Sequence, residues 1–144
     1  MDEKAMERKD REIQDLEKIC IDMVRTGTIT GPQMTHLGVL FGKRFENAWK
    51  AINEGRIKKY VFSPSHRVAW IVVGRERDYQ ILPIVNYCTC DDFYFRVIDG
   101  LTHLCYHLIA QRLAEALDFY EKIEEEDDLY DLLMGEWREF KESS

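Results

Sequence analysis

No stretch of this 144-residue chain is apolar for long enough to cross a membrane, and Met1-Asp2-Glu3-Lys4 opens it without the apolar segment a signal peptide needs. An intracellular protein, cytoplasmic or nucleoid-associated, is the expectation, with no membrane partner. Internal repeats are absent, which excludes a solenoid or propeller. There is no G-x-x-x-x-G-K-[ST] loop, and an isolated Gly42-Lys43 is a poor substitute, so ATP hydrolysis would have to come from a partner. A zinc deaminase needs H-x-E ahead of P-C-x-x-C, and none of the four histidines has a Glu two residues on. Ser63 and Ser65 near His66 sit in a turn-like segment rather than a nucleophile arrangement. The chain is read as not an enzyme.

Cysteine is scarce, but three of the four are placed to matter. Cys88, Cys90, Cys105 and His107 form a Cys-x-Cys and a Cys-x-His pair, while Cys20 lies far off on an expected helix face. A disulfide between Cys88 and Cys90 would be strained, and nothing suggests an oxidising compartment. Structural Zn²⁺ takes four thiolate or imidazole donors in a closed tetrahedron, and ligands paired closely in sequence lower the entropic cost of assembling them. In an extended segment Cys88 and Cys90 point the same way while Thr89 faces away. Cys105 and His107 open an apolar-periodic stretch with Leu104, Leu108, Ile109, Leu113 and Ala116, so a helix N-terminus would face the negative thiolates. His103 is an alternative to His107, though the symmetry of the pairs favours His107. Inert buried thiols are the competing reading. Four protein donors leave no open position for chemistry, and Asp91 and Asp92 beside the pairs read as solvated or supporting groups.

The net charge of −7 hides an uneven distribution. Residues 27–42 carry no Lys, Arg, Asp or Glu, 43–77 carry nine basic and three acidic groups, and 115–144 carry three basic and twelve acidic. The basic stretch interleaves with Trp49, Tyr60, Phe62 and Trp70. A nucleic-acid contact through Lys43, Arg44, Lys58, Lys59 and Arg67 is one reading, and an ordinary solvated face is the other.

With 45% hydrophobic residues the chain can form one modest core. An amphipathic helix over 5–25 carries Ile13, Leu16, Ile19, Cys20 and Met23 on one face, and turn formers from Thr26 to Pro32 end it. Helical patches follow through Met34 to Phe41 and through Phe45 to Ile52, with Gly55 as a stop. Three runs of strand type, Arg56–Phe62, Arg67–Val73 and Tyr79–Ile84, are parted by turn signals and predict an antiparallel meander leading into Cys88. An aromatic insert over 91–98 separates the metal pairs, and packing beneath the metal is its expected role. The helix from Leu104 is expected to reach about Lys122 and dissolve into the acidic run 124–128, before a last helix with Leu129, Leu132, Leu133, Trp137 and Phe140. The reading is an α+β fold: an N-terminal helical region over 1–41, a zinc-binding domain over 42–120 in which a small antiparallel meander meets a zinc-stapled helix, and an acidic C-terminal helix or tail over 121–144.

Cys88-Thr89-Cys90, the insert, then Cys105-Tyr106-His107-Leu108-Ile109-Ala110, resembles the SWIM zinc finger, C-x-C, a variable gap and C-x-H, extended as H-x-x-A with Ala110 in the last place. The resemblance covers roughly residues 42–120, including strands with Tyr60, Phe62, Val68 and Trp70. It is greatest to small stand-alone members related to the Shu-complex recombination accessory subunits. That implies Zn²⁺ on Cys88, Cys90, Cys105 and His107, no catalytic residue, and a role in homologous recombination and DNA repair. It also implies a RecA-family recombinase paralogue, an ATPase, as partner. DNA as a second contact and a homo- or heterodimer are compatible with the basic stretch and the apolar stripes. The terminal helices have no counterpart in the resemblance.

Overall fold

A computed structural model describes residues 3–90 and 104–138, with side chains from residue 10. Three helices come first: α1 (Glu3–Thr26), α2 (Gly31–Phe41) and α3 (Lys43–Asn53). The turn between α1 and α2 ends on a capping box. The Thr30 hydroxyl accepts from Gln33 N–H, the Gln33 side chain accepts from Thr30 N–H, and Pro32 fills a position where no amide is needed. Gly42, at φ +59°, lets α2 turn straight into α3, a conformation L side chains rarely adopt.

The sheet follows: β1 (Ile57–Ser63), β2 (Val68–Val73), β3 (Asp78–Leu82), a 3-10 turn over Pro83–Val85 and the short β4 (Tyr87–Cys88). These four strands pair antiparallel in sequence order, as the meander reading expects. Helix α4 (Tyr106–Leu117) then lies across one face of the sheet, and the chain returns on its far edge as β5 (Glu121–Glu126), parallel to β1. A 3-10 turn over Asp127–Leu129 leads into α5 (Tyr130–Arg138).

The acidic segment therefore differs from the expectation. The helix from the second metal pair stops at Leu117, not near Lys122, because Asp118 turns into the left-handed region at φ +56° and its N–H bonds back to the Ala114 and Glu115 carbonyls. An aspartate does here what a glycine more often does. The glutamates that follow form an edge strand instead of a tail, in register from Lys58 opposite Glu121 to Ser63 opposite Glu126. Glutamate has little preference for strands, so the state is imposed by the partner strand. Lys58 Nζ stands 3.1 Å from Glu121, and Ile123 is half-buried opposite Tyr60. The charges also guard an edge with unpaired backbone groups against association. Asp127 closes the corner by accepting from the Ser65 N–H at 3.0 Å and the Ser65 hydroxyl at 2.7 Å.

Strand alternation divides the side chains between two cores. On one face Ile57, Trp70, Val72, Ile81 and Cys88 meet Leu16, Met23, Leu37, Phe45, Ile52, Leu108 and Leu113 from four helices. On the other, Phe62, Ala69 and Ile71 pack against Met134 and Trp137 of α5, with Tyr60, Tyr130 and Leu133 at the rim. Among the described residues no helix is long and apolar enough to cross a membrane. The aromatic insert 91–98, His103 and Phe140 lie outside the described residues.

Candidate metal centre

Cys88 ends β4 opposite Ile81, and Cys90 follows two residues on. Thr89 between them turns the other way, as alternation requires. Its hydroxyl accepts from the Gln80 N–H at 3.0 Å, its N–H donates to the Gln80 carbonyl at 3.2 Å, and its carbonyl accepts from Arg77 Nη2 at 2.7 Å. Those contacts pin the Cys-x-Cys peptide to β3. Cys105 is the residue just before α4, with extended backbone, and His107 sits in the first helical turn. A strand end and a helix start thus bring the two pairs together.

The donor atoms of Cys88, Cys90, Cys105 and His107 all lie within 4.8 Å of one another, and all four residues are buried. Neither ring nitrogen of His107 meets a hydrogen-bond partner among the described residues, although both are shielded from solvent. A buried imidazole with both nitrogens unmatched is costly in an apolar setting, and a cation on one of them removes half of that cost. Tyr79 and Tyr106 hold the ring between them, with centroids 4.3 and 3.9 Å away. Gly74 is needed for that arrangement. A Cβ there would lie 2.5 Å from the Tyr79 ring and 2.6 Å from the Arg77 carbonyl oxygen.

The thiols are shifted by the same burial. Burial pushes the Cys88 and Cys105 thiols well above the ordinary range, with the Leu108 N–H at the start of α4 pulling Cys105 the other way. Cys90 moves down, first through hydrogen bonds from Cys105 and Cys88. Three buried sulfurs this close together oppose one another's ionisation. A divalent ion lets all three ionise. Three sulfur donors and one nitrogen, closed and buried, are the donor set of structural zinc. When bound, the ion would tie the strand end to the helix start.

Cys20 stands apart. Its Sγ is 3.7 Å from the Arg112 carbonyl oxygen, and burial raises its thiol to about 11. Ala110, fully buried on α4, packs in the larger core and offers no donor. Each of the sequence-expected nucleic-acid residues has an internal partner. Arg44 binds Glu12 at 2.9 Å and the Leu104 carbonyl at 2.9 Å. Lys58 pairs with Glu121, and Lys59 lies over the Trp70 and Tyr120 rings. Arg67 covers the Tyr130 ring at 3.6 Å, and Lys43 stands 3.9 Å from Glu46. Of the supporting residues, sequence marks Arg77 only as one of the basic stretch and gives Tyr79 and Gln80 only a place in a strand. What ties them to the site is the pairing of β3 with β4 and the hydrogen bonds to Thr89, which need the register to be seen.

No protein-family model matches the chain. It is similar to the zinc finger SWIM domain-containing protein 7 homolog of Dictyostelium discoideum, 32% identical over 118 residues, covering 81% of this chain and 76% of that protein.

Proposed function

The chain belongs to the SWIM zinc-finger family, and on that premise we propose that it is a non-enzymatic accessory protein of homologous recombination and DNA repair. It binds a RecA-family recombinase paralogue and works inside the cell, on the nucleoid. The observation that carries the reading is the closed, buried donor set: all four positions of a tetrahedron come from protein, so the metal shapes a surface and does not react. A protein partner is supported by what that surface exposes. Ile84 is 97% exposed and Val85 67%, on the 3-10 turn just before β4, beside a groove of about 690 Å³ lined by Val68, Trp70 and Leu82. Contiguous apolar side chains at that exposure are what an interface covers. Co-expression with a RecA-family ATPase paralogue tests it. A complex that survives gel filtration, and is lost in Ile84→Asp/Val85→Asp with zinc content unchanged, is the expected result. A chain that stays monomeric and ignores every such paralogue would refute it.

Direct nucleic-acid binding by the 43–77 segment is the second reading. What favours it is that two cations of this stretch, Lys50 and Arg75, keep no internal partner among the described residues.

A further inference from the structure

Nine cations lie between residues 43 and 77, and the fold occupies seven of them. Arg44, Lys58, Lys59, Arg67 and Lys43 are engaged as described above. Arg56 donates to the Val73 carbonyl at 3.2 Å, and Arg77 donates to the Thr89 carbonyl and lies over the Tyr79 ring. The side chains of Lys50, from α3, and Arg75, from the β2–β3 turn, have no ion pair, hydrogen bond or ring contact among the described residues. Both line one cleft of about 530 Å³.

The rest of its wall is donor-rich. Arg56, Asn47, Tyr79 and Tyr106 complete it, and Glu54 is the single acid among the described residues. Glu54 lies 3.1 Å from Arg56 Nε, which is buried and lacks an aligned hydrogen bond. Three cations against one carboxylate, with an amide and two phenols alongside, form a positive cavity on a chain whose net charge is −7. Guanidinium, ammonium, amide and phenol donors are the groups that meet phosphate oxygens without reading sequence.

We propose that this cleft binds the phosphodiester backbone of a single nucleic-acid strand, with Lys50 and Arg75 as the cations that neutralise phosphates. The choice of polymer rests on the recombination reading; the anion site rests on its own residues. One strand is favoured over a duplex because Lys50 and Arg75 line a single cavity of about 530 Å³. A duplex presents its phosphates across a broad convex face. Tyr79 and Tyr106 also flank His107, so two walls of the cleft are set by the metal centre.

The test is fluorescence anisotropy of the zinc-loaded full chain with a labelled oligothymidylate of about 20 nucleotides, longer than a typical single-strand site. Lys50 and Arg75 are exposed, so Lys50→Ser/Arg75→Ser is expected to keep its zinc and its melting temperature. It should bind about tenfold more weakly, and the slope of log K against log salt should flatten by about 1.4, the share of two phosphates on a single strand. Lys50→Arg/Arg75→Lys should restore binding. Lys18→Ser/Lys43→Ser, which removes the same charge elsewhere, should change binding less than twofold. Any of three results would overturn the proposal: no binding by the unmodified chain, equal binding by Lys50→Ser/Arg75→Ser, or equal weakening by Lys18→Ser/Lys43→Ser. Poly-glutamate competing as well as the oligonucleotide would also overturn it, assigning the cleft to an acidic polypeptide instead. Partner capture by the ATPase is measured separately, so either result stands without the other.

Discussion

The two faces of the sheet are held by different means. On the first, Ile57, Trp70, Val72 and Ile81 pack against helices drawn from both halves of the chain, and the four metal donors lie within that core. On the second, Phe62, Ala69 and Ile71 rest under a nine-residue helix anchored by Met134 and Trp137. The first face is closed by many elements and one staple, the second by a few aromatic contacts: Trp137 against Tyr60 at 4.9 Å, and Tyr130 edge-on to Phe62 at 5.0 Å. Cooperative stability is therefore expected to reside on the metal face, with α5 as the part that opens at lower cost.

Removing the metal should have the largest effect. Chelation, or Cys90→Ser, is expected to unfold the first face as a unit, because site-binding energy on the order of 10 kcal/mol in small zinc domains is folding energy. Loss of the cooperative melting transition by circular dichroism is the check. Mild acid should act in the same direction, since protons compete with the cation for thiolates and imidazole. Next comes Trp137→Ala, which removes the main anchor of the second face and should cost about 3 kcal/mol, the low end for a buried Trp. Zinc content should stay intact; zinc loss in this variant would show that the two faces are not separable.

Gly74→Ala sharpens the boundary between them. A Cβ there drives into Tyr79, so about 2 kcal/mol of overpacking strain should reach the metal face through the ring that holds His107. Denaturant midpoints at saturating zinc measure it. The smallest effect concerns Cys20, whose folded thiol titrates at about 11 against an ordinary 9.0. The unfolded chain loses this proton first as pH rises, so native stability should fall between about pH 9 and 11 by up to roughly 2 kcal/mol. Cys20→Ala should remove that slope, seen as a difference between the two proteins' pH–stability curves.

The same division explains how much of the molecule its sequence discloses. The metal centre is legible because its information is local: two short spacings, Cys88-x-Cys90 and Cys105-x-His107, each set on an element whose geometry follows from pattern. The turns are legible for the same reason, as with the turn formers from Thr26 to Pro32 between α1 and the first turn of α2. The acidic strand is not, since Glu121, Glu124, Glu125 and Glu126 have no preference for that state and acquire it from β1, some sixty residues earlier. That one long-range pairing also decides what the basic stretch can do, because it places Glu121 on Lys58 and Asp127 beside Arg67. Composition gives nine cations; the fold shows that two of them have no internal partner among the described residues and line one cleft.

Whether zinc closes the four-donor site is decided by metal analysis of the purified full chain combined with thiol titration by a bulky disulfide reagent. One zinc ion per chain, held through gel filtration, is expected, with Cys88, Cys90 and Cys105 protected until a chelator is added. A folded protein free of metal, with those three thiols reactive at once, would contradict that expectation.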